Sequence, residues 1–145
     1  MKVQWAVLAE GFVHDARGAV TAVGINQNVL VTPNLPIRAR RGVLLILTGE
    51  PHEFKSGRSI SFTTSVTSPT GQTLMAQSAE GKVGDPKWLD VPGSMNLVAE
   101  SVIEVTEYGT HIFHILIDID DEPQITAEVE FYVRAAEDTV ENVAT

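Results

Sequence analysis

Two of the four histidines in this chain stand close enough together to suggest acid–base or metal chemistry. His111 and His114 are three residues apart in an alternating segment, so in a strand their side chains point to opposite faces and cannot hold one metal ion. His111 shares its face with Phe113 and Ile115, which predicts a buried, hydrogen-bonded histidine. His114 is expected to be solvated on the other face.

The other two histidines are predicted to lie in connections between strands. His14 precedes Asp15 in a turn, and His52 precedes Glu53 in a longer loop. Either histidine could join residues that are distant in sequence. No group of His, Asp and Glu has the spacing of a known metal-binding motif, so the sequence assigns no role to either one.

The best candidate for a metal site is a cluster of four acids at the last predicted hairpin, Asp118, Asp120, Asp121 and Glu122. Hard carboxylate oxygens that lie close together suit calcium. The cluster lacks the Gly and the distal Glu of a helix-loop-helix calcium site, and a charged hairpin tip also discourages edge aggregation. We therefore predict no metal or other cofactor, with calcium as the alternative.

Catalytic motifs are not found in the sequence. Ser and Thr are frequent, but none stands in a nucleophile elbow. Gly71, Gly81 and Gly84 lie in separate predicted turns and do not precede a helix, so they form no phosphate-binding loop. We predict that the protein is not an enzyme, and an enzyme with an unrecognised mechanism remains an alternative.

The element that must position all these residues is the β-strand. Apolar and polar residues alternate through residues 59–66, which places Ile60, Phe62 and Val66 on one face. This pattern is typical of an antiparallel sheet with one buried face, and it recurs along the chain at even spacing. The sequence predicts an all-β, antiparallel β-sandwich of about eight strands, at residues 3–12, 19–31, 37–48, 59–68, 72–79, 95–105, 110–119 and 124–134.

The chain is predicted to form one domain. Its 145 residues suit a single β-sandwich at residues 1–134, followed by a short acidic tail at 135–145 that is mobile or marginally helical. The strand at 37–48 is expected to be central because its second half is continuously apolar. The irregular stretch 80–94 is expected to cross between sheets, with Trp88 plugging one end of the core.

Two segments resemble known families. Residues 109–118, which are followed by an acidic turn and a final strand, resemble the penultimate hairpin of immunoglobulin-like sandwiches. Residues 8–10 and 22–25, on either side of a turn, resemble the start of a small bacterial β-sandwich family of unknown function. The resemblance implies a fold and no activity. The chain differs from immunoglobulin domains in lacking the paired cysteines.

The charge of the chain, −9 overall, is divided unevenly along the sequence. Residues 1–58 carry seven bases and four acids, whereas residues 59–145 carry three bases and fifteen acids. This acidic balance argues against nucleic-acid binding. One interpretation is that acidic and basic strands lie side by side and pair across the sheet. Alternatively, a basic segment formed by Arg38, Arg40 and Arg41 meets acidic surfaces of other subunits and directs head-to-tail assembly.

Cysteine content and hydropathy bear on the cellular location. The chain contains no Cys, which argues against a disulfide scaffold of the secretory pathway. The first ten residues contain too short an apolar run for a signal-peptide core, and no run reaches the length of about 20 residues that a membrane helix needs. We expect a cytoplasmic protein that is not associated with a membrane.

The sequence thus predicts a noncatalytic protein-interaction or assembly domain, with a protein partner or self-association. Arg38, Arg40, Arg41 and Trp88 are its candidate interaction residues. The alternative is a ligand-binding module that presents Trp88, Tyr108 and Phe54 to a sugar, a peptide or another small molecule. Core or cap packing is the competing explanation for these three aromatic residues.

Overall fold

The computed structural model describes residues 1–17, 19–25, 28–54, 57–86 and 88–136. Within these residues the chain is all-β, as predicted, but it forms ten strands rather than eight. A 3-10 helix spans Pro51–Glu53. The strands are β1 (Lys2–Ala9), β2 (Gly11–His14), β3 (Val20–Val23), β4 (Val29–Thr32), β5 (Ile37–Gly49), β6 (Ser59–Thr67), β7 (Thr73–Lys82), β8 (Gly93–Val105), β9 (Gly109–Ile119) and β10 (Ile125–Ala135).

The two additional strands arise because the predicted strands 3–12 and 19–31 each divide in two. Glu10 lies in a bend between β1 and β2, and its N–H donates to the Val23 carbonyl over 3.0 Å. Gly24 follows β3 with a φ of 67°, a conformation that ends a strand. Apolar residues continue on both sides of each break, so alternation alone did not reveal it.

The strands form three sheets. The orders are β1-β5-β8, β4-β10-β9-β6-β7 and β2-β3. β5 lies between two strands, which confirms the prediction of a central strand. The connection that contains residues 83–92 joins β7 of the five-stranded sheet to β8 of the three-stranded sheet, so it does cross between sheets as expected.

One strand pair departs from the predicted antiparallel arrangement. β4 pairs with β10 in parallel, with Leu30 opposite Val133. A parallel pair requires a long connection between its strands. Here the connection from β4 to β10 contains β5 to β9, which belong to both larger sheets. The remaining strand pairs are antiparallel.

A single hydrophobic core receives side chains from both larger sheets. β5 contributes alternate residues that include Leu45 and Leu47, and β9 contributes Phe113 and Ile115. All four are at most 1% exposed. Alternate residues of a strand point to opposite faces, so the other residues of β5, β8, β6 and β9 form the outer faces of the two sheets.

The β2–β3 hairpin covers part of the outer face of the three-stranded sheet. Phe12 approaches Gly42 of β5 so closely that a Cβ on this glycine would lie 2.7 Å from the ring. The Phe12 N–H donates to a carboxylate oxygen of Glu100 over 2.6 Å. Gly42 therefore makes room for the hairpin, and Glu100 holds it beside β8.

Two expectations concern the C-terminal tail and membrane association. The predicted tail at 135–145 lies outside the described residues except for Ala135, which ends β10, and Ala136. Among the described residues, no helix has the length and apolar character needed to cross a membrane.

Arg58 connects the loop before β6 with the turn between β9 and β10. Its Nη1 donates to the Glu53 carbonyl over 2.7 Å, and its Nε and Nη2 donate to the Asp120 carbonyl. Nη2 also lies 3.2 Å from a Glu122 carboxylate oxygen. A single guanidinium thus satisfies two loop carbonyls and one carboxylate, for which its fork geometry is suited.

We expect Arg58→Ala to lower the free energy of unfolding by about 2 kcal/mol, because hydrogen bonds to a charged donor are each worth about 1.5–3 kcal/mol and partner groups would be left unpaired. Arg58→Lys is the matched control. It keeps the charge but loses the fork, so we expect an intermediate loss. Urea denaturation measures both, and an unchanged midpoint for Arg58→Ala would show that this contact does not stabilise the fold.

Candidate interaction surfaces

His111 is a core residue, as predicted from its position among apolar neighbours. Its side chain is fully buried, and its ring stacks on Phe131 with a centroid separation of 4.9 Å. Nδ1 donates to the Gly109 carbonyl over 3.2 Å, whereas Nε2 is buried and has no hydrogen-bond partner among the described residues. Burial lowers the pKa of His111, which favours the neutral ring.

This burial predicts a pH-dependent stability. Because the pKa of His111 is lower in the folded state than in the unfolded state, the unfolded chain binds the proton more readily. The free energy of unfolding should therefore fall as the pH drops below about 6.5. His111→Phe should flatten the curve between about pH 7 and pH 5, above the range where carboxylates titrate. Parallel curves for both proteins, measured by urea denaturation, would contradict this prediction.

His114 takes part in contacts that were not predicted. It is half-buried on the outer face of the five-stranded sheet, with Nε2 2.9 Å from the Thr67 hydroxyl and Nδ1 3.2 Å from a Glu128 carboxylate oxygen. Hydroxyl, imidazole and carboxylate therefore follow one another as in a catalytic triad. The sequence offers no signal for this group, because it depends on the register that sets Glu128 opposite His114.

The surroundings of this group do not suit a nucleophilic mechanism. An acyl-transfer site needs hydrogen-bond donors for the developing oxyanion. Thr67 and His114 lie on β6 and β9, each of which has a strand on both sides, so the nearby N–H groups are used in the sheet. The three side chains form a cross-strand polar contact of the kind that stabilises sheets.

The acids of the last hairpin are engaged with different partners. Asp118 accepts a hydrogen bond from the Gln124 amide over 3.1 Å, Asp120 accepts from the Ser59 N–H over 2.8 Å, and Glu122 pairs with Arg58. Asp121 occupies the turn with a φ of 62°. The described residues contain no group of three or more His, Cys, Asp or Glu that could hold a metal ion.

His14 and His52 lie on different parts of the fold. His14 ends β2 and borders a cavity beside β8. His52 lies in the 3-10 helix. Neither belongs to a group of metal-ligating side chains within the described part of the chain.

The three arginines of β5 separate into two environments. Arg38 and Arg40 are exposed on the outer face, where they stand opposite Glu104 and Val102 of β8. Arg41 points to the interior and is 6% exposed, with Nη1 donating to the Arg40 carbonyl over 2.7 Å. Its Nε has no hydrogen-bond partner among the described residues. Arg41 therefore cannot share a docking surface with the other two.

Arg38, Arg40 and Val102 together form a surface that we call the basic patch. Arg38 faces an acid, which agrees with cross-strand pairing of opposite charges. Arg40 instead faces an apolar side chain that is 56% exposed. The patch therefore offers positive charge and apolar area side by side.

Trp88 does not plug the core, and that prediction is wrong. Phe54 is buried beside the start of β8, where a Cβ on Gly93 would lie 2.6 Å from its ring. Trp88 is 61% exposed and Leu89 is 83% exposed. Because Phe54 fills the end of the core, the larger ring stays outside. We call residues 88–91, which also include Asp90 and the exposed Val91, the apolar loop.

The three aromatic residues of the ligand-binding alternative do not meet. Phe54 is buried, which agrees with core packing. Trp88 precedes β8 and Tyr108 follows it, and a strand of 13 residues spans about 40 Å. The Tyr108 hydroxyl donates to the Thr32 carbonyl over 3.3 Å. A shared aromatic platform for a sugar is therefore not formed.

Comparison of the chain with protein-family models finds no match, and comparison with curated proteins finds no similar sequence.

Proposed function

We propose that this protein is a noncatalytic assembly domain, in which the apolar loop of one copy docks on the basic patch of the next. The observation that carries this function is the exposure of Trp88 and Leu89 at the tip of one connection. Exposed apolar groups that cluster in this way mark interaction sites in soluble proteins. Tryptophan is also among the residues that contribute most at protein interfaces.

The architecture that we propose is an immunoglobulin-like antiparallel sandwich. Its support is the strand order, with β1, β5 and β8 as strands A, B and E and with β6, β7, β9 and β10 as strands C, C′, F and G. The shared core of the two larger sheets also supports it. Membership of the small bacterial family rests on residues 8–10 and 22–25, and the absence of Cys supports a cytoplasmic location.

Charge complementarity favours the basic patch as the docking surface. Asp85 and Asp90 are exposed next to Trp88 and Leu89, and residues 83–92 carry a net charge of −1. The basic patch presents Arg40 opposite the apolar Val102, whereas Arg38 stands opposite Glu104. Burying a large apolar side chain contributes about 1.5–3 kcal/mol, and the charges would orient the contact.

The geometry requires that this contact join different copies. The apolar loop precedes the first residue of β8, whereas Val102 lies nine residues farther along the strand, about 30 Å away. A loop of one copy therefore cannot reach its own patch. Because the two surfaces differ, the contact is head-to-tail and can extend into a ring or a filament.

Association should be visible in the molar mass measured by light scattering over a wide concentration range. We expect the mass to rise above the monomer value of 15.7 kDa. High salt should weaken the association without abolishing it, because only the charged part of the contact is screened. Trp88→Ser and Arg40→Asp should each remain monomeric. A parent protein that stays monomeric at every concentration would contradict the proposed function.

Mixing the two variants provides a matched control for the direction of the contact. Trp88→Ser keeps the basic patch and Arg40→Asp keeps the apolar loop, so one functional contact remains between them. The mixture should form a dimer and no larger species. If neither variant differs from the parent protein, these surfaces do not mediate association.

A further inference from the structure

β8 is an unusually open sheet edge. It has 13 residues, and within the described part of the chain β5 is its only hydrogen-bonded neighbour. Its register with β5 is continuous from Gly93 to Val105. Long edges without interruptions are ready templates for another strand, and proteins usually block them.

The other three edges of the two larger sheets are blocked by familiar means. β1 begins with Lys2 and shifts register between Val3 and Trp5. β4 has four residues and is followed by Pro33. β7 shifts register near its start and ends with Lys82. β8 contains no Pro, no Lys and no register shift. Its charged residues are two acids, Glu100 and Glu104, so among these edges it is the one suited to pairing with a strand that brings basic side chains.

The backbone groups at the free side of β8 belong to its even-numbered residues. Gly42 lies on β5, and a Cβ atom added to it would lie 2.7 Å from the Ala99 carbonyl oxygen. The Ala99 carbonyl therefore faces β5. The Glu100 carbonyl faces away and accepts a long hydrogen bond, 3.4 Å, from the Gln77 side chain. Orientation alternates along a strand of an antiparallel pair, so Asn96, Val98 and Glu100 present their N–H and C=O groups outward.

Cavities flank this edge on both faces of the sheet. On the outer face, a cavity of ≈ 350 Å³ is lined by Asn96, Val98 and Glu100 together with His14 and Val20 of the hairpin. The even-numbered side chains of β8 thus form one wall and the β2–β3 hairpin forms the other. The Glu100 carboxylate gives this cavity a negative charge.

The second cavity, of ≈ 230 Å³, lies between the two larger sheets. Phe62, Ala79 and Ala99 contribute apolar walls, and Thr64 lies among them. Thr64 is 1% exposed, and its buried hydroxyl has no hydrogen-bond partner among the described residues. A buried polar group without a partner is costly, and a ligand group in this cavity would relieve that cost.

We propose that residues 96–100 of β8 bind an extended basic peptide segment of another protein by strand addition. Side chains of an added strand point alternately to the two faces, so successive residues of the peptide enter the two cavities. A Thr or Val fits the inner cavity beside Thr64, and a Lys or Arg in the outer cavity meets Glu100. Backbone hydrogen bonds provide affinity and the cavities provide selectivity.

Charge distinguishes a basic peptide from a second copy of this chain. Glu100 and Glu104 are the charged residues of β8, and both are acidic. A second β8 would bring the same acids to the interface, whereas Lys or Arg would neutralise them. Residues 96–100 lie on the same strand as Val102 of the basic patch but do not include it, and they are separate from the apolar loop, so they add a second binding surface to the assembly domain.

The test uses amide chemical shifts and hydrogen exchange, measured by NMR in the Trp88→Ser variant so that self-association does not contribute. The probe is the capped heptapeptide Ser-Lys-Thr-Lys-Val-Lys-Ser. The control is a capped peptide of the same length with Glu at each Lys position. The basic peptide should shift the amides of Asn96, Val98 and Glu100 and slow their exchange by about tenfold or more. The acidic peptide should leave them unchanged.

Val98→Pro and Val98→Thr form a matched pair for this edge. The Val98 N–H does not pair with β5, so proline removes the edge donor without removing a sheet hydrogen bond. We expect Val98→Pro to weaken peptide binding by about tenfold, the equivalent of one lost hydrogen bond, and Val98→Thr to bind as before. Thr64→Val tests the inner cavity without a proline that could disturb folding. It removes the Thr64 hydroxyl, so any preference of this cavity for Thr over Val in the peptide should disappear.

Three results would overturn strand addition: no effect of the basic peptide on these amides, equal binding of the acidic peptide, or unchanged binding to Val98→Pro. None of them bears on the mass measurements. Failure at this edge is therefore distinguishable from failure of the head-to-tail contact.

Discussion

The packing of the two larger sheets against one shared core is the constraint on which the rest of the structure depends. β5 and β9 each bury one set of alternate side chains, and Leu45 and Phe113 are completely buried. Because the side-chain period of a strand is two, a slip of one residue would turn each set outward. The same constraint places Arg41 and His111 inside, where one nitrogen atom of each has no hydrogen-bond partner among the described residues. These polar groups cost stability, and the surrounding apolar burial offsets that cost.

This arrangement leaves few places where the protein can act on another molecule. The strands inside the sheets use their backbone groups in pairing, and the outer face of β6 is a row of Ser and Thr. Beside the Thr67, His114 and Glu128 group, the backbone N–H groups of β6 and β9 are used in the sheet, whereas an acyl-transfer site needs free donors for the oxyanion. Exposed apolar side chains lie at several places, including Trp5 of β1 and Ile25 after β3, but Trp88 and Leu89 place two of them side by side in one connecting loop. β8 adds a long sheet edge. Both features suit recognition of protein chains.

Prediction from the sequence succeeded where local alternation determines the outcome. The strand at 37–48 and the buried face of His111 follow from patterns of a few residues, and both are confirmed. The division of the predicted strands 3–12 and 19–31 was missed, because apolar residues stand on both sides of Glu10 and of Gly24. The exposure of Trp88 depends on the position of Phe54, more than thirty residues away in sequence. The environment of Arg41, the contacts of His114 and the open edge of β8 depend on register and sheet order, which one sequence does not reveal.

The contact between copies can be tested most directly by site-specific cross-linking, because the chain has no Cys of its own. The cysteines are placed next to the two surfaces, at Pro92 beside the apolar loop and at Glu104 opposite Arg38, so that Trp88 and Arg40 are kept. The measurement compares disulfide-linked species in the double variant Pro92→Cys with Glu104→Cys and in each single variant. Head-to-tail docking predicts a ladder of multimers for the double variant, a dimer when the two single variants are mixed, and little product from either one alone. Equal cross-linking of a single variant with itself would show that the loop and the patch do not face each other, and would contradict this account.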